Sequence, residues 1–372
     1  MFGMKSRSCR VPVNPRDRDQ KLRSRCAKLS SNALHPGLLC LVMTDVVALA
    51  AELMGIHSPT GDEGRAVDFV TGWLVSRGWN VTVQEVTPGR GNVWASRNGG
   101  GVTLSTHLDT VPPYVKPSLD GDRLRGRGAC DAKGITAAML AAAEQLVADH
   151  EERVDLLFVI GEEKGSDGAR AANHLPATSR FLINGEPTDS KLATGAKGSL
   201  RVTVRTTGRA AHSAYPQLGT SAIHPLLDLL PALRKLALPN DPVLGETTMN
   251  IGTIHAGTEA NIIPDRAEAE LMFRLVGDVG DVRRLLERAV KGRAELEYGS
   301  YIPPQKFHTI PGMPAAPVAF TTDIPLLDRW GTPLLFGPGS IQVAHTPDEY
   351  VNVGELRDAV GAYVRLVRTL LS

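Results

Sequence analysis

The sequence predicts an α/β fold: a mainly parallel, doubly wound sheet interrupted by a smaller α+β insertion. Three observations predict it. Continuous apolar runs at 101–106, 156–160 and 181–183 read as strands buried on both faces, as parallel strands are. Helical periodicity separates these runs, which gives strand–helix alternation. After about residue 194 the strands become half-exposed and strictly alternating, and buried character returns only near 333. The first domain is therefore discontinuous, over 43–193 and 304–372, and the second, over 194–303, is inserted into it.

Taken in order, 45–54 has helical spacing, and 56–61 is a turn with Pro59 and Gly61. A second helix, 63–77, places Val67, Val70 and Leu74 on one side and stops at Gly78. Short strands at 80–86 and 92–96 precede the central strand that runs to His107. A Gly-rich loop, 125–134, opens onto the Ala-rich helix 135–148. In the insertion, strand 198–207, helix 220–236, strands 247–254 and 266–275, helix 279–290 and strand 294–298 follow one another. That order is the split-βαβ (ferredoxin-like) arrangement. A strand at 333–336 and a helix at 353–371 return the chain to the first domain.

Composition narrows the function. The 372 residues are 42% hydrophobic with a formal net charge of +1, so no basic face for nucleic acid is expected. No stretch reaches the ~20 unbroken apolar residues of a membrane span; the longest candidate, 38–53, is broken by Asp45 and Glu52. Residues 1–42 differ from the rest, with nine Lys or Arg, two acids and three of the four cysteines. They read as a disordered basic extension, with folding expected from Met43 and a weak case for a targeting segment. Cys130 has no neighbouring partner, which fits a reducing, cytoplasmic setting.

The chemistry sits at strand ends, where open α/β sheets place their ligands. His107 ends the central strand and Asp109 follows by two. Asp131 lies in the Gly-rich loop, Glu162 and Glu163 follow the next buried strand, Glu186 follows the one after, and His345 comes late. Two imidazoles and three carboxylates (Asp131, Glu163, Glu186) suit zinc, cobalt or manganese. Five ligands exceed one tetrahedral zinc and are enough for two ions if one carboxylate bridges; Asp131, short and held in a tight loop, is the expected bridge. Adjacent carboxylates point to different sides, so Glu163 can bind metal while Glu162 faces a water as general base.

At these residues the chain resembles the M20 family of metallopeptidases, which includes acetylornithine deacetylase, succinyl-diaminopimelate desuccinylase and carboxypeptidase G2-like enzymes. The motifs are His107-x-Asp109, Gly128-Ala-Cys-Asp131-x-Lys-Gly134, Glu162-Glu163, Gly185-Glu186-Pro187-Thr188 and Ala344-His345-Thr346-Pro347-Asp348-Glu349. They occur in order from about Met43 onward. The resemblance implies two zinc ions (cobalt or manganese as substitutes), one held by His107, Asp131 and Glu186, the other by Glu163, Asp131 and His345. It implies that Asp109 orients His107 and that Glu162 activates a metal-bridging water.

The resemblance also makes the insertion a lid and homodimerisation domain whose His212 reaches the partner's site. It further implies that Asn261, Arg274, Gly337 and Ser340 bind substrate. The leading expectation is an amidohydrolase for N-acyl amino acids, of the deacetylase or desuccinylase type. The alternative is a carboxypeptidase or dipeptidase for short peptides. Neither nucleic acid nor a membrane is an expected partner.

Overall fold

The computed structural model describes residues 44–372; the expectations for 1–42 and for the start at Met43 lie outside the described residues. Helix α1 (Val46–Met54) begins where the Asp45 carboxylate accepts from the Val47 amide at 3.0 Å, which satisfies an otherwise orphaned donor. After α2 (Gly64–Val75) come β1 (Asn80–Thr87), β2 (Arg90–Ser96) and β3 (Val102–His107). Helix α3 (Lys133–Ala148) leads to β4 (Val154–Val159) and then β5 (Phe181–Asn184). The insertion holds β6 (Gly198–Thr207), α4 (Ile223–Leu233), β7 (Thr248–Ala256), β8 (Arg266–Leu275), α5 (Val279–Val290) and β9 (Glu295–Ile302). The chain returns as β10 (Thr332–Leu335) and α6 (Val353–Leu371).

The main sheet runs β1-β2-β4-β3-β5-β10. Strand β3 pairs in parallel with β4 and β5, and β5 with β10, while β2 pairs antiparallel with β1 and β4. Leu156 and Phe158 of β4 enter the core shared with α1, α3 and α6. Leu157 and Val159 enter a second cluster with Ala169, Ala172 and Trp330. A strand that feeds two cores has no solvent-facing side, which is why its 156–159 stretch reads as one apolar run.

The insertion has its own core. Its sheet runs β7-β8-β6-β9, antiparallel throughout. Leu200, Val202 and Val204 of β6 and Leu271 and Phe273 of β8 pack on Leu226 and Leu230 of α4 and Leu286 of α5. Helix α4 is shorter at both ends than its periodicity predicts. Between the two sheets, Leu192–Ala196 pairs antiparallel with Gln305–Lys306 and parallel with Ala315–Val318. The Pro-rich sequence of 302–317 does not announce that small sheet. Among the described residues no helix is long and apolar enough to cross a membrane.

Candidate metal centre

His107 is the last residue of β3, level with Val159 of β4, and is 1% exposed. Its Nδ1–H donates to the Asp109 main-chain carbonyl at 3.0 Å, while the Asp109 carboxylate stands at 3.5 Å. That bond fixes the tautomer and turns Nε2 toward Asp131 Oδ1, 3.0 Å away. The other Asp131 oxygen, Oδ2, lies 3.1 Å from His345 Nε2. One carboxylate thus spans two imidazoles. Glu163 reaches His345 Nε2 at 3.0 Å and, with His107 and Asp131, offers ligand atoms all within 4.8 Å of one another. His345 holds a left-handed backbone (φ +64°), rare outside glycine, at the exposed side of the group.

Local sequence explains the two-glutamate turn. Gly161 takes φ +73°, and a Cβ there would sit 2.0 Å from Asp167 Oδ1, so the position requires glycine. The next two amides are tied to Asp109: Oδ1 accepts from Glu162 at 3.1 Å and Oδ2 from Glu163 at 3.2 Å. The Thr60 hydroxyl donates to the same Oδ2 at 2.7 Å. So Asp109 touches His107 most closely through its main chain, and its carboxylate anchors the turn carrying Glu162 and Glu163. Neither the second task nor Thr60 is visible in the motif.

Glu186, 5% exposed, follows β5. Its segment is stitched to the Gly337 stretch: Thr188 and Ser190 amides donate to the Gly337 carbonyl at 3.2 and 3.0 Å. Gly337 is itself buried, whereas Ser340 is partly exposed.

The electrostatics are those of crowded acids. Burial opposes charge on His107, but bonds to Asp109 and Asp131 and the Glu186 charge hold its pKa well above the ordinary value. Burial would raise Asp131, yet His107 and His345 hold it well below the usual carboxylate range. His345 is raised to about 10 by Asp131 and Glu163. Glu162 is pushed well up by burial, then by the charges of Glu186 and Asp323; burial also pushes up Glu186. Two imidazoles cannot neutralise this many carboxylates. A pair of divalent ions would, and the mixed N/O donor set fits them.

His212 and Asn261 are brought together, and neither side chain bonds to this cluster among the described residues. His212 is exposed, pairs with Ile262 across a two-residue ladder, and accepts from the Ala214 amide through Nδ1 at 3.1 Å. The Ser213 amide donates to the Asn261 carbonyl at 2.9 Å. Among the described residues no hydrogen bond or ion pair joins either side chain to His107, Asp131 or Glu163. Arg274 of β8 does reach back, donating from Nη1 to Thr321 Oγ1 at 3.5 Å. It is half-buried, burial lowers its pKa, and it has no acidic partner among the described residues.

Sequence reasoning also missed Asp323. It is 1% exposed, and neither carboxylate oxygen has a hydrogen-bond partner among the described residues; Ser166 faces it without reaching bonding geometry. Burial raises its pKa to about 6. No local pattern marks it, because its neighbours Glu162 and Glu186 come from other strands.

Residues 194–296 match the peptidase dimerisation domain, and residues 92–218 match peptidase family M28. The M28 match covers the segment holding His107, Asp131, Glu163 and Glu186. A Schizosaccharomyces pombe protein named Peptidase M20 domain-containing protein is 40% identical, across 87% of this chain and 84% of its own. An Aspergillus clavatus protein named "Probable carboxypeptidase" is 38% identical across 86% and 81%. A solved M20 family metallo-carboxypeptidase from Sulfolobus solfataricus has the same fold, with a TM-score of 0.70 over 87% of this chain and 99% of that one at 19% identity. Likeness over most of both chains, with the insertion included, decides between the two peptidase families: the chain belongs to the M20 peptidase family and is a metal-dependent hydrolase of amide or peptide bonds.

Proposed function

We propose that the protein is a carboxypeptidase or dipeptidase that cleaves short peptides at a two-metal centre. The carboxypeptidase names of its relatives favour this alternative over the deacetylase or desuccinylase reading, for which they give no support. Arg274 carries the free-carboxylate part of the proposal, which short peptides and N-acyl amino acids share, and the relatives' names carry the choice of peptides. A half-buried guanidinium without an acidic partner, extended from the insertion to Thr321, is a ready site for a peptide's terminal carboxylate.

His107, Asp131, Glu163, Glu186 and His345 would hold the ions. A Bacillus subtilis peptidase of the M20 family is described as dinuclear and metal-binding, and a pair of such ions would supply Lewis acidity and a more acidic water. Glu162, one residue from Glu163, takes a proton from the attacking water and passes it to the amine nitrogen as the C–N bond breaks. The water oxygen stays on the carbonyl carbon as the new carboxylate. His212 serves the oxyanion of a partner subunit's site. The dimerisation-domain match and the exposed Leu227, Ile254 and Ile262 of the insertion support that homodimer.

A substrate panel tests the proposal: dipeptides, N-blocked dipeptides, their C-terminal amides, and N-acetyl and N-succinyl amino acids, each with zinc, cobalt or manganese. Peptides with a free carboxylate should turn over best and their amides poorly. Turnover of N-acyl amino acids with none of the peptides would restore the deacylase reading.

A further inference from the structure

We propose that Glu349, held by Arg127, is the positioning residue of Asp131, an inference that rests on the metal-centre reading above. Glu349 lies four residues after His345. Its side chain is 0% exposed and pairs at 2.5 Å with Arg127 Nη1, whose side chain is 2% exposed. Its other oxygen, Oε1, accepts from the Cys130 amide at 3.2 Å and the Asp131 amide at 3.3 Å. The strap continues through the main chain. The Gly126 amide donates to the Glu349 carbonyl at 3.0 Å, and Val351 pairs with Leu124.

A buried carboxylate is costly unless hydrogen bonds and a counter-charge compensate it. Glu349 has both, and what it grips is the pair of amides that sets the direction of Asp131. The segment bearing His345 is thereby locked to the loop bearing Asp131, although 214 residues of sequence separate the two ligands (345 − 131). Held in this way, Asp131 presents one oxygen to each imidazole, at 3.0 and 3.1 Å. Released, the loop can satisfy one imidazole and lose the other. Glu349 touches neither ion nor substrate; it acts through Asp131.

Titrating the metal-free full chain with cobalt tests this, with bound ion and visible absorption as readouts. Wild type should take two ions per chain. Glu349→Asp keeps the charge facing Arg127 but draws the oxygens back from the amides by one methylene. It should bind cobalt about 10–100-fold more weakly, with a changed visible spectrum, at temperatures where its metal-free form is still folded. R127M/E349Q leaves an oxygen over the two amides and no unpaired charge, so affinity and spectrum should recover relative to E349D. Should E349D fail to fold, R127M/E349L, which removes oxygen and charge together, takes its place in the same comparison. Wild-type affinity and spectrum in the oxygen-withdrawn variant overturns the proposal, as does a double variant no better than it. A wild type that takes up no cobalt refutes the metal reading itself, and the clamp with it.

Discussion

Glu162 and Glu163 are neighbours in sequence, share one anchor in Asp109, and face different tasks. Their alanine variants should therefore fail differently. Glu162→Ala should keep wild-type metal content while kcat falls by roughly 10²–10⁴-fold. Glu163→Ala should drop toward one ion per chain, because it removes a member of the ligand cluster. Metal analysis beside kinetics distinguishes the two, and equal stoichiometry with equal activity would sink both roles. Arg274→Ala should raise KM about 10–100-fold for free-carboxylate peptides with a smaller effect on kcat, as expected for losing a charged hydrogen bond used in binding. An unchanged KM removes Arg274 from substrate recognition. The cluster residues were legible because metal-binding chemistry is written in residue type and strand-end position. The grip of Asp109 on the turn, of Glu349 on the Asp131 loop, and the buried Asp323 were not. Their partners lie tens to hundreds of residues away, and no local pattern encodes a contact at that range.

Strand β4 shows what an element contributes beyond its end. It carries an acid, Asp155, at its opposite end, 3% exposed, with Oδ1 lacking a partner among the described residues. Burial raises its pKa above the ordinary carboxyl value, against the smaller opposing pull of the Ser96 hydroxyl and the Arg97 amide. A folded-state pKa above the unfolded one means that the ionised group opposes folding at neutral pH, and that the opposition fades as pH falls through the folded value. Asp155→Asn should therefore melt higher than wild type at pH 7, and the gap should close as pH falls to ~3 and below, where both states hold the proton. A gap that widens on acidification contradicts that sign. Elements with a clear period were legible to within a few residues: β6 and α5 follow their alternation and their helical stripe. The small sheet of Leu192–Ala196, Gln305–Lys306 and Ala315–Val318 was not, since strands this short carry no period and exist only because distant segments meet.

For the whole molecule, no hydrogen bond or ion pair among the described residues joins His212 or Asn261 to the cluster of their own chain. Mixing His212→Ala with Glu162→Ala, each inactive alone, under conditions of subunit exchange should restore activity if His212 serves the neighbour. One site of the mixed dimer then lacks both groups and the other is intact. A mixture as dead as its parents, with exchange confirmed, places His212 in its own subunit's chemistry or outside it. The alternation of buried and half-exposed strands gives the expectation of an insertion over 194–303; which site its histidine serves is a property of two chains, and one sequence does not hold it. The placement of Asp131 between His107 and His345 has one more consequence. The ribosome makes His107, Asp131, Glu163 and Glu186 before the insertion and His345 after it. A nascent chain emerging from the exit tunnel thus carries the acids with a single imidazole. It cannot assemble the full donor set until translation has passed residue 345 and β10 has docked on β5. With His107, Asp131 and Glu186 all made before the insertion, only the ion that needs His345 would wait for closure, so uptake of the second ion, not the first, would mark the closed domain.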